Sequence, residues 1–318
     1  MRAKANMKFT WKGVFPAVTT KFTDNDELDF DAFDHNINAQ LEAGVDGFIL
    51  GGSLGEASVL SDDEKFALLK HTVEFVDGKV PVLLNIAEQT TKAAVACAQK
   101  ALDNGASGLM LLPPMRYKSD DNETLAFLTA VAKSTPLPIM IYNNPVDYKI
   151  EVTLDMFEEL AKYPNIQAVK ESTRDVSNVT RMINRFGNRF AIMTGVDPLA
   201  MESLVMGADG WVAGLVDAFP KETVAIYRLI KAKRIDEALA IYRWFLPVLE
   251  LDIHPKLVQY IKLAEVATGI GTENVRAPRL AIKGAERERV LKTINDALAV
   301  RPALPEGSWG RVNAVQLV

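Results

Sequence analysis

Lys170 closes the apolar run Ile166-Gln167-Ala168-Val169 and precedes the polar stretch Glu171-Ser172-Thr173-Arg174-Asp175. An amine at the mouth of an apolar strand is poorly solvated, so its pKa falls and it can attack a carbonyl as a neutral nucleophile. Taken alone, Val-Lys-Glu is more often a solvated lysine where a strand surfaces, so its neighbours must carry the case. Three further stretches offer partners. Gly51-Gly52-Ser53-Leu54-Gly55-Glu56 places a hydroxyl beside glycine-freed backbone N–H groups, which can hold a carboxylate; a tight loop chosen for its backbone angles is the simpler alternative. Tyr142-Asn143-Asn144-Pro145 supplies a phenol that can move protons, or a half-buried aromatic with a wet hydroxyl. Gly195-Val196-Asp197 is followed by Pro198, and Asp197 there reads as a helix cap ahead of a first-turn proline, which explains it without chemistry.

These stretches share one feature: each follows a short apolar run. Runs near residues 14, 48, 82, 109, 139, 166, 190 and 211 read as eight strands, each followed by a helical pattern. Asp29 and Ser61 are placed to cap two of those helices, Ser61 with Glu64 as a capping box. Gly44-Val45-Asp46-Gly47, Gly105-Ala106-Ser107-Gly108 and Gly207-Ala208-Asp209-Gly210 repeat one helix-to-strand turn, which argues for reuse of a βα unit. Eight such units without a break in composition predict a (β/α)8 TIM barrel, whose site forms at the C-terminal ends of the strands. A doubly wound sheet is the alternative, but the glycines at 51–55 follow the second strand and do not match the dinucleotide pattern. After Pro220 the strand signals cease, and helices are expected over 223–231, 236–249, 257–267 and 285–299. The expected organisation is an N-terminal lead (1–12), a catalytic barrel (13–233), a C-terminal helical extension (234–300) and a loosely held tail (301–318).

The 318 residues are 48% hydrophobic and 24% charged with a net charge of −5, which fits a globular protein with a large core and gives no electrostatic footprint for nucleic acid or an anionic membrane. No run reaches membrane-span length, and Met1 to Met7 lacks a signal-peptide core, so a cytoplasmic protein is expected. The single cysteine, Cys97, lies among alanines and reads as packing. His35, His71 and His254 are scattered, which leaves a zinc site little to work with.

Together, Gly-Ser-Leu-Gly-Glu (52–56), Tyr-Asn-Asn-Pro (142–145) and Val-Lys-Glu-Ser (169–172) resemble the dihydrodipicolinate synthase/N-acetylneuraminate lyase family of Schiff-base-forming barrel enzymes, from about Gly13 to about Ala299. The resemblance implies that Lys170 forms an imine with a 2-oxo acid and that Tyr142 relays protons. It also implies that Ser53 and the Leu54 N–H hold the substrate carboxylate, that Gly52 and Asn144 belong to the binding motifs, and that Gly195 and Val212 line the pocket. It further implies a homotetramer or dimer that needs no metal or cofactor.

Family members that condense pyruvate with aspartate semialdehyde carry Thr-Thr where this chain has Ser53-Leu54, and an arginine where it has Asp147. Leu54 removes a relay hydroxyl, and Asp147 is expected to repel a second carboxylate. Pro113 to Lys118 replaces paired tyrosines, with Arg116 as the base that could compensate by turning inward. The segment from Tyr242 to Glu265 resembles the branch acting on 1-pyrroline-4-hydroxy-2-carboxylate in hydroxyproline breakdown. The favoured expectation is therefore a deaminase of that cyclic imine. The alternatives are 4-hydroxy-tetrahydrodipicolinate synthase, a 2-keto-3-deoxy sugar acid aldolase or dehydratase, and, outside enzymes, a 2-oxo acid sensor. The presence of both Lys170 and Tyr142 disfavours the sensor.

Overall fold

The structure is a computed structural model that describes residues 9–311. Its eight strands are β1 (Gly13–Pro16), β2 (Phe48–Leu50), β3 (Val82–Ile86), β4 (Gly108–Leu111), β5 (Ile139–Asn143), β6 (Ile166–Glu171), β7 (Ala191–Thr194) and β8 (Gly210–Ala213). Their order is β1-β8-β7-β6-β5-β4-β3-β2, all parallel. A parallel bridge between Ala17 and Ile49 joins the two remaining edges, with Val18 N–H donating to the Ile49 carbonyl at 3.0 Å. The expected TIM barrel is what forms. Its strands are short and apolar because side chains on one face fill the barrel and those on the other pack against the helices.

The repeated glycine tetrads show why they recur. Gly44, Gly105 and Gly207 end helices at φ 91, 85 and 114°, a left-handed conformation that disfavours a Cβ. The third residue of each tetrad then reaches sideways to a neighbouring strand: Asp46 accepts from Val14 N–H at 2.8 Å, Ser107 from Val82 N–H at 3.2 Å, and Asp209 from Ile192 N–H at 2.9 Å. A single turn thus stops the helix and caps the start of an adjacent strand. Asp29 accepts from Ala32 N–H, and Ser61 with Glu64 forms the full capping box.

Beyond the barrel, helices Ile235–Leu249, Leu257–Thr268 and Gly284–Ala299 form the C-terminal helical extension, with a short 3-10 turn at Glu250–Ile253. The expectation of a loose tail is corrected for residues 301–311. Arg301 makes two bonds to Glu222 at 2.6 and 3.0 Å, Arg228 donates to the Gly310 carbonyl at 2.6 Å, and Gly310 N–H donates to the Ala43 carbonyl at 2.7 Å. Charge-assisted bonds to buried partners hold this stretch against the barrel. Residues 1–8 of the lead and 312–318 of the tail lie outside the described residues.

Candidate active site

A cavity of about 360 Å³ opens at the C-terminal ends of the strands, and β5 and β6 set its chemistry. Tyr142 and Lys170 are register partners on these adjacent strands, so both point the same way into the barrel mouth. The Lys170 Nζ lies 4.1 Å from the centroid of the Tyr142 ring. Both side chains are buried, and among the described residues no carboxylate lies within ion-pair distance of Lys170. Desolvation by burial therefore pulls the lysine pKa below its ordinary 10.5, against weaker opposing effects of Tyr148, Asp252 and Asp197. Burial also pushes the Tyr142 phenol up to about 12, so at neutral pH it is a protonated hydroxyl that can pass a proton on.

Gly195 follows β7 and permits this arrangement. A Cβ there would sit 2.6 Å from both Cγ and Cε of Lys170 and within contact of Ser172 Oγ. The Ser172 hydroxyl is buried in the cavity wall with no protein partner among the described residues. Val212, in β8, lies on the same wall.

The loop after β2 forms the opposite side. Gly52 and Leu54 are buried, while Ser53 is exposed toward the opening. Among the described residues no protein acceptor takes the Ser53 or Leu54 N–H, so both donors are free to meet an anion. A buried ion pair anchors the loop. Glu56 meets Lys262 of helix Leu257–Thr268 at 2.5 Å, with neither side chain exposed, and burial lowers the Lys262 pKa to about 8. The neighbouring pair, Lys21 and Glu265 at 2.7 Å, is equally buried. Cys97 is buried too, its thiol pushed up to about 12 by desolvation, which suits packing and not nucleophilic chemistry.

Asn144 donates to the Tyr142 hydroxyl at 3.3 Å and to Asp147 at 2.8 Å. Asp147, expected to stand as a bare negative charge, instead faces Arg174 at 3.6 Å. Arg174 also lines the cavity, whereas Arg116 is exposed and does not; the basic group at the rim comes from the loop after β6. Asp197 is likewise corrected. Its side chain does not cap its own helix; buried, it accepts from Trp211 Nε1 at 2.9 Å, Gly214 N–H at 3.1 Å and Leu215 N–H at 2.7 Å. The carboxylate thus serves the turn after β8, where unpaired backbone donors are nearest.

Three polar lining residues were not singled out from sequence. Tyr148 stands edge-on to Tyr142, with ring centroids 5.5 Å apart and an interplanar angle of 85°, and shares a short hydrogen bond with Ser53. Its signal was adjacency, since one turn of helix begins at Pro145. Arg174 and Asp252 are the others. Asp252 offered only a faint signal, as one of two acids alternating with Leu249, Leu251 and Ile253. No group of three or more His, Cys, Asp or Glu side chains that could hold a metal ion occurs among the described residues, and no helix there is long and apolar enough to cross a membrane.

Residues 10–297 match the dihydrodipicolinate synthetase family. A 4-hydroxy-tetrahydrodipicolinate synthase from Sorangium cellulosum is 31% identical over 297 residues, which span 92% of this chain and 97% of that protein. A protein of the same name from Exiguobacterium sibiricum is 32% identical over 275 residues, spanning 86% and 92%. The crystal structure of a dihydrodipicolinate synthase from Bacillus anthracis matches with a TM-score of 0.86 at 27% identity, covering 91% of this chain and 99% of that one.

Proposed function

The chain belongs to the dihydrodipicolinate synthetase family and is an enzyme of its class I lyase type, and from that premise we propose that Lys170 is the amine that forms the imine. The observation that carries the proposal is the desolvated, unpaired Lys170 amine held over the Tyr142 ring at the barrel mouth. A neutral amine adds to the carbonyl of a small 2-oxo acid, or to the C=N carbon of its cyclic imine, and the resulting iminium draws electrons from the adjacent carbon. Tyr142 carries protons to and from the adduct, steadied by Asn144. The free N–H groups of Ser53 and Leu54, with the Ser53 hydroxyl, receive the substrate carboxylate. Gly52, Gly195 and Val212 shape the wall around it.

Within this class the favoured substrate is 1-pyrroline-4-hydroxy-2-carboxylate. Attack by Lys170 opens its ring, loss of the 4-hydroxyl follows, and hydrolysis releases ammonia and the oxo-acid semialdehyde. The apolar Leu54 and a rim arginine, Arg174, that already faces Asp147 suit a compact substrate with a single carboxylate. The second reading, 4-hydroxy-tetrahydrodipicolinate synthase, is favoured by the names of the relatives and by Arg174, which could swing from Asp147 to a second carboxylate.

The test is turnover of both substrate sets, with ammonia measured from the pyrroline and condensation of pyruvate with aspartate semialdehyde followed by a coupled reductase. Ammonia release without condensation supports the deaminase; brisk condensation without ammonia supports the synthase. Borohydride added during turnover should fix the substrate to Lys170, and an adduct on another lysine would overturn both.

A further inference from the structure

One acid in the cavity has no role in imine formation. Asp252 lies in the 3-10 turn Glu250–Ile253, so the C-terminal extension, not the barrel, delivers it to the wall. Its carboxylate has a single protein donor among the described residues, the Asp197 N–H at a long 3.4 Å. Gly214 lets it come this close, since a Cβ there would lie 2.5 Å from its Oδ1. We propose that Asp252 is the general acid of this site, carrying the proton that leaves with a substrate hydroxyl two carbons from the imine carbon. The proposal rests on the imine-forming reading above and names the substrate class as 4-hydroxylated 2-oxo acids or their cyclic imines.

The two neighbouring carboxyl groups are unequally solvated by the protein. Asp197 takes bonds from an indole and two backbone N–H groups, which favour its anion. Asp252 has only the one long bond from the Asp197 N–H, and two neighbouring carboxyl groups, both buried, do not both ionise readily, so the proton resides on Asp252. Burial, reinforced by Asp197 and only partly opposed by Lys170, holds the Asp252 carboxyl well above the usual carboxylate range. The other titratable groups lining the cavity, the imine-forming Lys170 aside, are committed. The His254 ring accepts from Lys256 N–H at 3.1 Å, pairs with the Tyr260 hydroxyl at 3.3 Å and stacks on that ring. Asp147 faces Arg174, Tyr148 bonds Ser53, and Tyr142 serves the carbon next to the imine.

In the proposed step, the carbon beside the Lys170 imine gives its proton to the Tyr142 hydroxyl as that hydroxyl passes its own proton to solvent, which leaves the enamine. Its electron pair then forms a new C=C bond, the C–O bond at the next carbon breaks, and the nitrogen becomes an iminium. The Asp252 proton leaves with the oxygen as water, and the carboxylate regains a proton from solvent at the pocket mouth. Without an acid, hydroxide would have to depart as a bare anion into a desolvated cavity wall.

The test uses the full chain, Asp252→Asn, and two substrates: 1-pyrroline-4-hydroxy-2-carboxylate and its 4-fluoro analogue, whose leaving group departs as an anion. The variant should be trapped on Lys170 by borohydride as fully as the wild type, which also shows that it folds. Turnover of the hydroxylated substrate should fall by about 10²- to 10⁴-fold, while the fluoro analogue is processed within a few-fold of wild type. The wild-type kcat should decline as pH rises through the Asp252 pKa, and that limb should vanish in the variant. Near-normal turnover of the hydroxylated substrate by Asp252→Asn, or equal slowing of both substrates, overturns the acid role. Absence of any Lys170 adduct in the wild type would instead overturn the imine reading beneath it.

Discussion

Gly195→Ala should disable the enzyme through Lys170 without removing any polar group. The added methyl would lie 2.6 Å from Cγ and Cε of the lysine and 2.3 Å from Ser172 Oγ, whereas ordinary contact begins at 3.4 Å. The lysine must therefore retreat by about 0.8 Å, and its amine already packs 4.1 Å from the centroid of the Tyr142 ring. A misplacement near 1 Å at a reacting atom costs roughly 10²-fold in rate, so kcat/KM should fall by about that factor. Inserting one methyl into a packed wall destabilises by about 1–3 kcal/mol, too little to unfold a barrel of this size. The conformation of Gly195 itself is open to alanine, since its φ lies outside the left-handed region, so backbone strain does not confound the result. The assay is the rate of borohydride-trapped adduct formation, alongside turnover and a urea melt. Wild-type trapping in a folded Gly195→Ala protein would refute the argument, because Lys170 would then not be where this geometry makes it reactive.

Tyr142→Phe should cut turnover by about two to four orders of magnitude while still permitting a trapped adduct; normal turnover would leave Tyr142 a packing residue. Because burial lowers the Lys170 pKa below 10.5, the neutral amine exists at lower pH than in a free lysine, and the trapping rate should rise with pH and level off below 10.5. A plateau reached only at 10.5 or above would contradict the desolvation argument. The same shift has a stability consequence of definite sign: below 10.5 the unfolded chain binds the Lys170 proton more tightly than the folded one, so this group disfavours folding as pH falls. Lys170→Met should thus raise Tm at neutral pH, and a lowered Tm would count against it. Glu56→Ala strands the buried Lys262 ammonium and should cost about 3–5 kcal/mol in a urea melt, with Glu56→Ala/Lys262→Met recovering most of it; additive losses in the double variant would show that the two do not act as a pair.

The barrel was legible because its signals are local. A helix that begins at Asp29 or Ser61 carries its cap within three residues, and a buried parallel strand announces itself as an uninterrupted apolar run. Lys170, Tyr142 and Gly195 were legible for the same reason: in this fold the residue that ends an apolar run lies at the mouth of the barrel. What escaped was pairing across the fold. Asp147 read as an isolated negative charge because sequence cannot show that Arg174, on a different loop and in a left-handed conformation at φ 64°, stands opposite it. Asp197 read as a helix cap because Asp-Pro usually is one, yet the donors nearest its side chain belong to the turn after β8. Asp252 had no strand to announce it, since it arrives from a helix outside the barrel. The lesson bears on substrate choice. A specificity argument built on one charge at one position fails once that charge has a partner, so Asp147 by itself does not exclude a second carboxylate. The discriminating feature is whether Arg174 stays with Asp147 when substrate enters, and among the described residues the acid lining this cavity without a cation in ion-pair contact is Asp252.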